Sequence, residues 1–394
     1  MGLAVAPLGF YFGFVSTAMP ILLAAKGVST DEISSVSFWG FSPTFWAFLL
    51  CPILDVRFSK RTYALVAAPV AAVCLVACTL LTGNLFAFTA VLMLGCMAAV
   101  MFGNALGGWM PDVIGEEHYS AVGGTSNIAN LGAAGLFAWL TVRLIRWLPP
   151  SHAALYLGLA VVAPTAMLFY IPLPARGTRL AGEVFGSFFR DLYRVCKTRS
   201  CLFGLLCFLS PTACFALTNL FSGLGGDFRT SEVWVSRING PLAAVVCSLG
   251  CLVGVPFCQR FLRRTVYVVA GFGGAGAALA MIWMPHALAY YALGVLVYNF
   301  FQGINYTAFT AFEFEIVGPA NPLAATQIAL LTAAANAPIS YMTRIDGHFS
   351  KTHGLAGMFG VDAVSSIAMG VILLLMFRRM AVGKRVDAVP VLQA

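Results

Sequence analysis

Apolar stretches of about 20 residues, separated by short turn-forming or basic segments, recur along almost the whole of this chain. The hydrocarbon core of a bilayer is about 30 Å thick, a distance an α-helix covers in about 20 residues. Inside lipid every backbone N–H and C=O needs a partner within the protein, which leaves only helices and closed barrels. The stretches show no apolar–polar alternation, so they are helices. Charged residues make up 10% of the 394 positions, against about 25% in soluble domains. A chain so poor in polar groups cannot coat a surface facing water, and the lipid bilayer is its solvent.

The runs predict twelve spans, near 3–25, 33–54, 63–82, 86–110, 120–142, 153–173, 201–222, 234–257, 265–285, 287–313, 323–343 and 355–377. The first is read as a membrane helix and not a cleaved signal, because no basic segment precedes it. The expected organisation is an N-terminal six-helix bundle at 1–173, a linker at 174–200, a C-terminal six-helix bundle at 201–380 and a tail at 381–394. Within the linker Phe185, Phe188, Phe189, Leu192 and Val195 recur at helical spacing among Arg190, Arg194 and Lys197. That pattern predicts an amphipathic helix lying on the membrane surface.

The net charge is +8, but the cations form no continuous patch, which argues against nucleic acid as a partner. Sixteen of the 23 Lys and Arg fall on one side of the twelve-span layout, in the cluster Arg57, Lys60, Arg61, in the linker, around Arg260, Arg263 and Arg264, and in the tail. The positive-inside rule places that side, with both termini, in the cytoplasm. Most of the eleven Cys lie inside apolar runs, and neither they nor the five His have metal-ligand spacing. No cofactor or metal is expected. An embedded acyltransferase would need a catalytic His within the bilayer, whereas the His here all fall near span ends, so no enzyme is expected.

The two halves repeat each other. Arg57-Phe58-Ser59-Lys60-Arg61-Thr62 reads against Arg260-Phe261-Leu262-Arg263-Arg264-Thr265, and at a shift of 201 residues Asn104 meets Asn305, Asp112 meets Glu313 and Thr125 meets Thr326. Such repeats build transporters whose substrate site lies between the two bundles near mid-membrane. The stretch from Pro52 to Arg61, with Asp55 followed by Arg57, Lys60 and Arg61, resembles the loop motif between the second and third helices of the major facilitator superfamily. Cys51 stands where that motif has its first Gly, and Cys258 stands opposite Asp55 in the second half. Within the superfamily the chain is similar to the muropeptide permeases of the peptide–acetyl-coenzyme A transporter group. The stretches that carry this are Gly9-Phe10 with Gly13, Trp109 with Asp112-Val113 and Glu116-Glu117, Ala325-Thr326-Gln327-Ile328-Ala329-Leu330-Leu331, and His353-Gly354. The resemblance implies an all-α fold of two pseudo-symmetric six-helix bundles and proton-driven import of muropeptides, siderophores or acyl-coenzyme A. The fifth span reads Ser126-Asn127-Ile128-Ala129-Asn130, without the arginine expected of a muropeptide permease.

Polar side chains are costly against lipid, so those inside spans should line the solute path or join helices. The candidates are Asn104, Ser126, Asn127, Asn130, Asn299, Gln302, Asn305, Tyr306, Thr326, Gln327 and Asn336. Arg237, near the outer start of the eighth span, is a candidate to attract an anionic solute. Trp39, Trp46 and Trp234 are candidates to stack on a ring or to form interfacial belts. Asp362, inside the last span, and Glu313 are the candidate proton-coupling acids. Asp55, Asp112 and Glu313 are expected to act as conformational latches, Asp112 pairing with Arg57 or Lys60 and Glu313 with Arg260 or Arg263.

The expectation is therefore a multi-pass carrier of the cytoplasmic membrane, importing a small amphiphilic solute of muropeptide type with a proton by alternating access. A siderophore or drug and metabolite carrier, working by uptake or efflux, and a transport-dead sensor are the alternatives; the oligomeric state is left open.

Overall fold

The structure, a computed structural model, describes residues 2–28, 30–55, 58–173, 190, 193, 197–319, 321 and 323–386. Arg57 and the expected amphipathic segment around Phe185 to Val195 fall outside these, apart from Arg190 and Tyr193. Helices dominate, and there is no strand among the described residues.

Twelve helical crossings follow one another among the described residues. We label them α1 (residues 2–25), α2 (30–55), α3 (Lys60–Leu80), α4 (Leu85–Val113), α5 (Tyr119–Trp147), α6 (150–170), α7 (199–224), α8 (232–260), α9 (Arg263–Trp283), α10 (Leu288–Val317), α11 (324–353) and α12 (355–386). Side-chain caps start several of them. The Ser59 hydroxyl accepts from Thr62 N at 3.2 Å ahead of α3, Asn84 Oδ1 accepts from Ala87 N at 3.1 Å ahead of α4, and Thr198 accepts from Cys201 N at 3.3 Å in α7. Each satisfies a backbone donor that a helix start leaves without a partner. Gly354, with φ 64° and ψ −160°, interrupts the last helical stretch and separates α11 from α12. The helix of α12 runs on to Val386, past the expected start of the tail at 381.

Three crossings are irregular. α1 carries a π turn at Phe14–Ala18, and α8 carries another at Ile238–Leu242. α7 stops at Leu209 because Pro211 lacks an N–H and drives Ser210 to extended backbone, with ψ 154°. The chain then passes Ala213 and Phe215 at φ 61° and 54°, a region non-glycine residues rarely occupy, before short 3-10 turns complete the crossing.

Small residues bring helices together. Gly9 and Gly13 of α1 lie against the α5 backbone at Asn130 and Ala134, while Gly250 of α8 and Gly303 of α10 meet the opposing backbone at Phe300 and Cys247. Lipid supplies no hydrophobic force between helices, so close van der Waals approach is what binds them. The first six crossings pack mainly among themselves, as do the last six. The two groups meet where α5 packs on α8 and α10, and where α2 and α4 pack on α11.

Candidate functional site

A cavity of about 390 Å³ lies between the two halves. Of the residues proposed from sequence, Asn104, Asn127, Asn130, Gln302, Asn305, Tyr306, Glu313 and Asn336 line it. The first half contributes α4 and α5, the second α10 and α11. Asn104 and Asn305, equivalent in the internal repeat, thus face one space from opposite halves. Aromatic walls complete it: Phe12, Phe215, Phe309, Phe314 and Tyr267.

The amides here do different things. Asn127 Nδ2 spans the two halves, donating to Tyr306 O at 3.1 Å and Thr310 Oγ1 at 2.9 Å. Asn104 Nδ2 lies 3.3 Å from Cys51 Sγ, the residue standing in the first position of the loop motif. Gln302 Nε2 donates to Tyr306 OH at 3.1 Å. Asn305 Nδ2 donates to Ala213 O, at 3.0 Å, in the α7 break, which orients its Oδ1 the other way. That oxygen, Asn130 Oδ1 and Ser126 Oγ are buried without a hydrogen-bond partner. Buried polar atoms normally have one, so these oxygens mark where the polar lining is left incompletely satisfied by the protein, Asn130 Oδ1 lying toward Gly9 of α1. Glu313 supplies the one carboxyl among the described lining residues, and its Oε1 accepts from Thr332 Oγ1 at 2.9 Å.

The cavity is shut at the end that carries the basic loops. Asp55, at the close of α2, accepts from Ala325 N at 3.3 Å, Thr326 N at 3.1 Å and Thr326 Oγ1 at 2.9 Å. A first-half carboxylate thereby caps the first turn of second-half α11, where the helix dipole and unpaired N–H groups favour an anion. Lys60 Nζ stands 3.8 Å from Asp55 and 3.9 Å from Asp112, and donates to Gly108 O at 2.6 Å. Tyr119 and Phe314 pack edge to face across the same junction, their ring centroids 5.7 Å apart. At the other end the halves part. Gly124 of α5 sits against Val255 and Cys251 of α8, whereas Gly135 has no atom within 4 Å of where a Cβ would stand. Eleven residues are about three turns, so the two glycines share one face, and α5 leaves α8 along it.

Several residues proposed from sequence are placed elsewhere. Arg263 pairs with Glu315 at 3.1 Å and donates to Glu116 O, and Glu313 is buried against Thr332 instead. The expected Glu313–Arg263 pair is therefore corrected: Glu313 lies a turn inside α10, too deep for a cation at the helix end. Arg260 is exposed and forms no ion pair within 4 Å among the described residues. Arg237 is also exposed, stacked over Trp234 with 5.2 Å to the ring centroid, and does not line the cavity. Gln327 is buried outside the cavity and accepts from Asn321 Nδ2 at 2.6 Å, holding the turn before α11. Asn299 bonds to its own helix at Val295 O, and Trp39, Trp46 and Trp234 are not in the lining. Asp362 lines a separate, small cavity behind the α7 break.

Sequence reasoning missed Thr332, the aromatic walls and Asp346. The eleventh span was expected to end at 343, which put Asp346 in a loop; α11 continues to 353 and buries it completely.

This architecture recurs in solved structures. The human organic anion transporter MFSD10 superposes with a TM-score of 0.73 at 15% identity, covering 94% of this chain and 97% of that one. The proton:xylose symporter XylE gives 0.69 at 13% identity over 96% and 94% of the two chains, and a bacterial homologue of ferroportin in its outward-facing state gives 0.68 at 13% over 95% and 98%. This chain has the major facilitator fold. No family model matches it. Over 145 residues it is 31% identical to the enterobactin exporter EntS of Shigella boydii serotype 4 and of Escherichia coli O1:K1, which covers 36% of this chain and 34% of each exporter. The match thus spans about a third of the length of those relatives.

Proposed function

We propose that this protein is a secondary transporter that works by alternating access and carries an uncharged or cationic amphiphile rich in hydrogen-bond donors. The observation that carries this is the cavity lining. Two of its unsatisfied atoms are amide oxygens and the third is a hydroxyl, its one carboxyl is that of Glu313, and much of the remaining wall is aromatic and aliphatic. A muropeptide brings several carboxylates, and no Lys, Arg or His among the described lining residues would meet them. Burying an anion without a counter-charge is strongly unfavourable. The siderophore or drug-type carrier therefore fits better than the muropeptide permease that the loop motifs resemble. Partial likeness to an enterobactin exporter supports the same class and makes efflux as plausible a direction as import.

The shut end carries the basic loops, which the positive-inside rule puts in the cytoplasm. The described conformation is then outward-open, with Asp55, Lys60 and Asp112 among the groups holding it.

The test is binding and transport in proteoliposomes with three probes: ethidium, an aromatic cation bearing amino donors; enterobactin; and an anhydro-muropeptide. Proton gradients are imposed in each direction. Saturable binding and gradient-driven movement of ethidium or enterobactin, with muropeptide at least tenfold weaker, is the expected result. Muropeptide binding as tight as either of the others would overturn the assignment of solute class.

A further inference from the structure

Two buried carboxyls lie outside the solute cavity, on the paired helices α11 and α12. Ser365 Oγ of α12 is 3.8 Å from Met342 Sδ of α11. In an antiparallel pair this contact sets the register. Asp346, one turn beyond Met342, comes opposite Asp362, one turn before Ser365. Both are eight residues from Gly354, about 12 Å along their helices from the bend.

Nothing in the surroundings neutralises them. Asp346 is 0% exposed, and neither of its carboxyl oxygens has a hydrogen-bond partner. The other titratable groups facing the pair are Cys214 of the α7 break and Tyr298 of α10, which line the small cavity with Asp362. α9 presents Gly271, Gly274 and Ala275 there. The cations and imidazoles of these helices nearest the bend, Arg344, His348, Lys351 and His353, are exposed, and none of them forms an ion pair with either acid among the described residues. Isolated buried carboxylates are costly, and two sharing a site cannot both ionise without a cation between them. The cavity beside Asp362 holds about 10 Å³, roughly the space of one water. A hydrated metal ion does not fit, whereas a proton needs no volume.

We propose that Asp346 and Asp362 form a proton-binding pair, occupied in this conformation and linked to the solute cavity through the break in α7. The link is a short chain of contacts. One turn from Asp362, Ser366 O accepts from Thr212 Oγ1 at 3.1 Å. The next residue of the break, Ala213, offers its carbonyl to Asn305 Nδ2 in the solute cavity. Ala213, Cys214 and Phe215 form the wall between the two spaces and line both. Losing the proton would leave two facing charges, which repel and drive α11 and α12 apart; through the Thr212–Ser366 hydrogen bond this pulls on the break and alters the wall that a solute touches. Coupling of this kind is reciprocal, so solute binding would in turn change proton affinity. That consequence rests on the transporter reading; proton occupancy itself does not.

Occupancy is measured without solute, by infrared difference spectroscopy of the full chain in lipid nanodiscs as pH is raised. The wild type should show a carboxylic-acid carbonyl band that disappears with rising pH. Asp346→Asn and Asp362→Asn should each shift its loss to lower pH, because the remaining acid no longer has a like charge beside it, the double variant should abolish it, and Asp346→Glu should move it without abolishing it. Any band from Glu313 is identified by Glu313→Gln and subtracted. A remaining band that survives in the double variant, or no remaining band at all, would overturn the proposal. So would loss of the wild-type band when sodium replaces potassium at constant pH, which would make the pair a metal-cation site. Should an Asn variant fail to fold, the shift in Asp346→Glu decides. The assay involves no transport, so its failure and failure of the solute assignment are distinguishable.

Discussion

Asp55 shows how much one side chain can hold. It is the acid of the loop motif, and the motif suggested that it works beside neighbouring cations. The structure gives it a second task across the molecule, capping Ala325 and Thr326 at the start of α11. Hydrogen bonds to a charged acceptor contribute about 1.5–3 kcal/mol. Asp55→Ala should therefore speed hydrogen exchange of the Ala325 and Thr326 amides at least about tenfold, read by mass spectrometry; unchanged rates would mean the cap contributes nothing. The polar residues of the cavity were readable at this scale, because an amide within an apolar run needs a polar neighbour or water. What each amide bonds was not readable. Asn127 binds backbone and side chain 179 and 183 residues away, and Gln327, in the most distinctive of the motif stretches, turned out to brace a loop. Asp346 escaped notice for a simpler reason: hydropathy alone ended its helix ten residues early.

Among the elements, the closest approaches are made by glycine. Gly303 of α10 lies against the backbone carbonyl of Cys247 in α8, with no room for a Cβ. Gly303→Ala should destabilise the second half by about 1–3 kcal/mol through overpacking, measured by reversible unfolding in mixed micelles; a wild-type midpoint would show that α8 can yield. The helical runs were plain in the sequence because a membrane span needs a fixed length of apolar residues. The break in α7 was half legible. Ser210-Pro211 warns of an interruption, but Ala213 and Phe215 carry no local sign of left-handed backbone. Their conformation persists because Tyr267, Asn305 and Ser366 hold the segment from three other helices, an arrangement that only long-range packing produces.

For the whole molecule, the charge distribution and the closed end make one statement. If the basic loops face the cytoplasm, phosphatase fused after residue 394 should be inactive and a fluorescent protein fused there should glow; an active phosphatase would invert the topology and turn the cavity mouth inward. Hydrophobic length is a local quantity, and it was enough to predict an all-helical membrane protein; the placement of Lys and Arg predicts a side for the loops, which the fusions test. The internal repeat added that the halves are related. What they could not specify is where the halves touch, because contacts between residues hundreds of positions apart leave no period in the chain. Tertiary structure alone decided that Asp55 caps α11, that the cavity lining has acceptors and no cation among the described residues, and that Asp346 faces Asp362. The first two are consequences of packing two bundles together and the third of packing α11 on α12, and in each a side chain's role is set by the partner it meets.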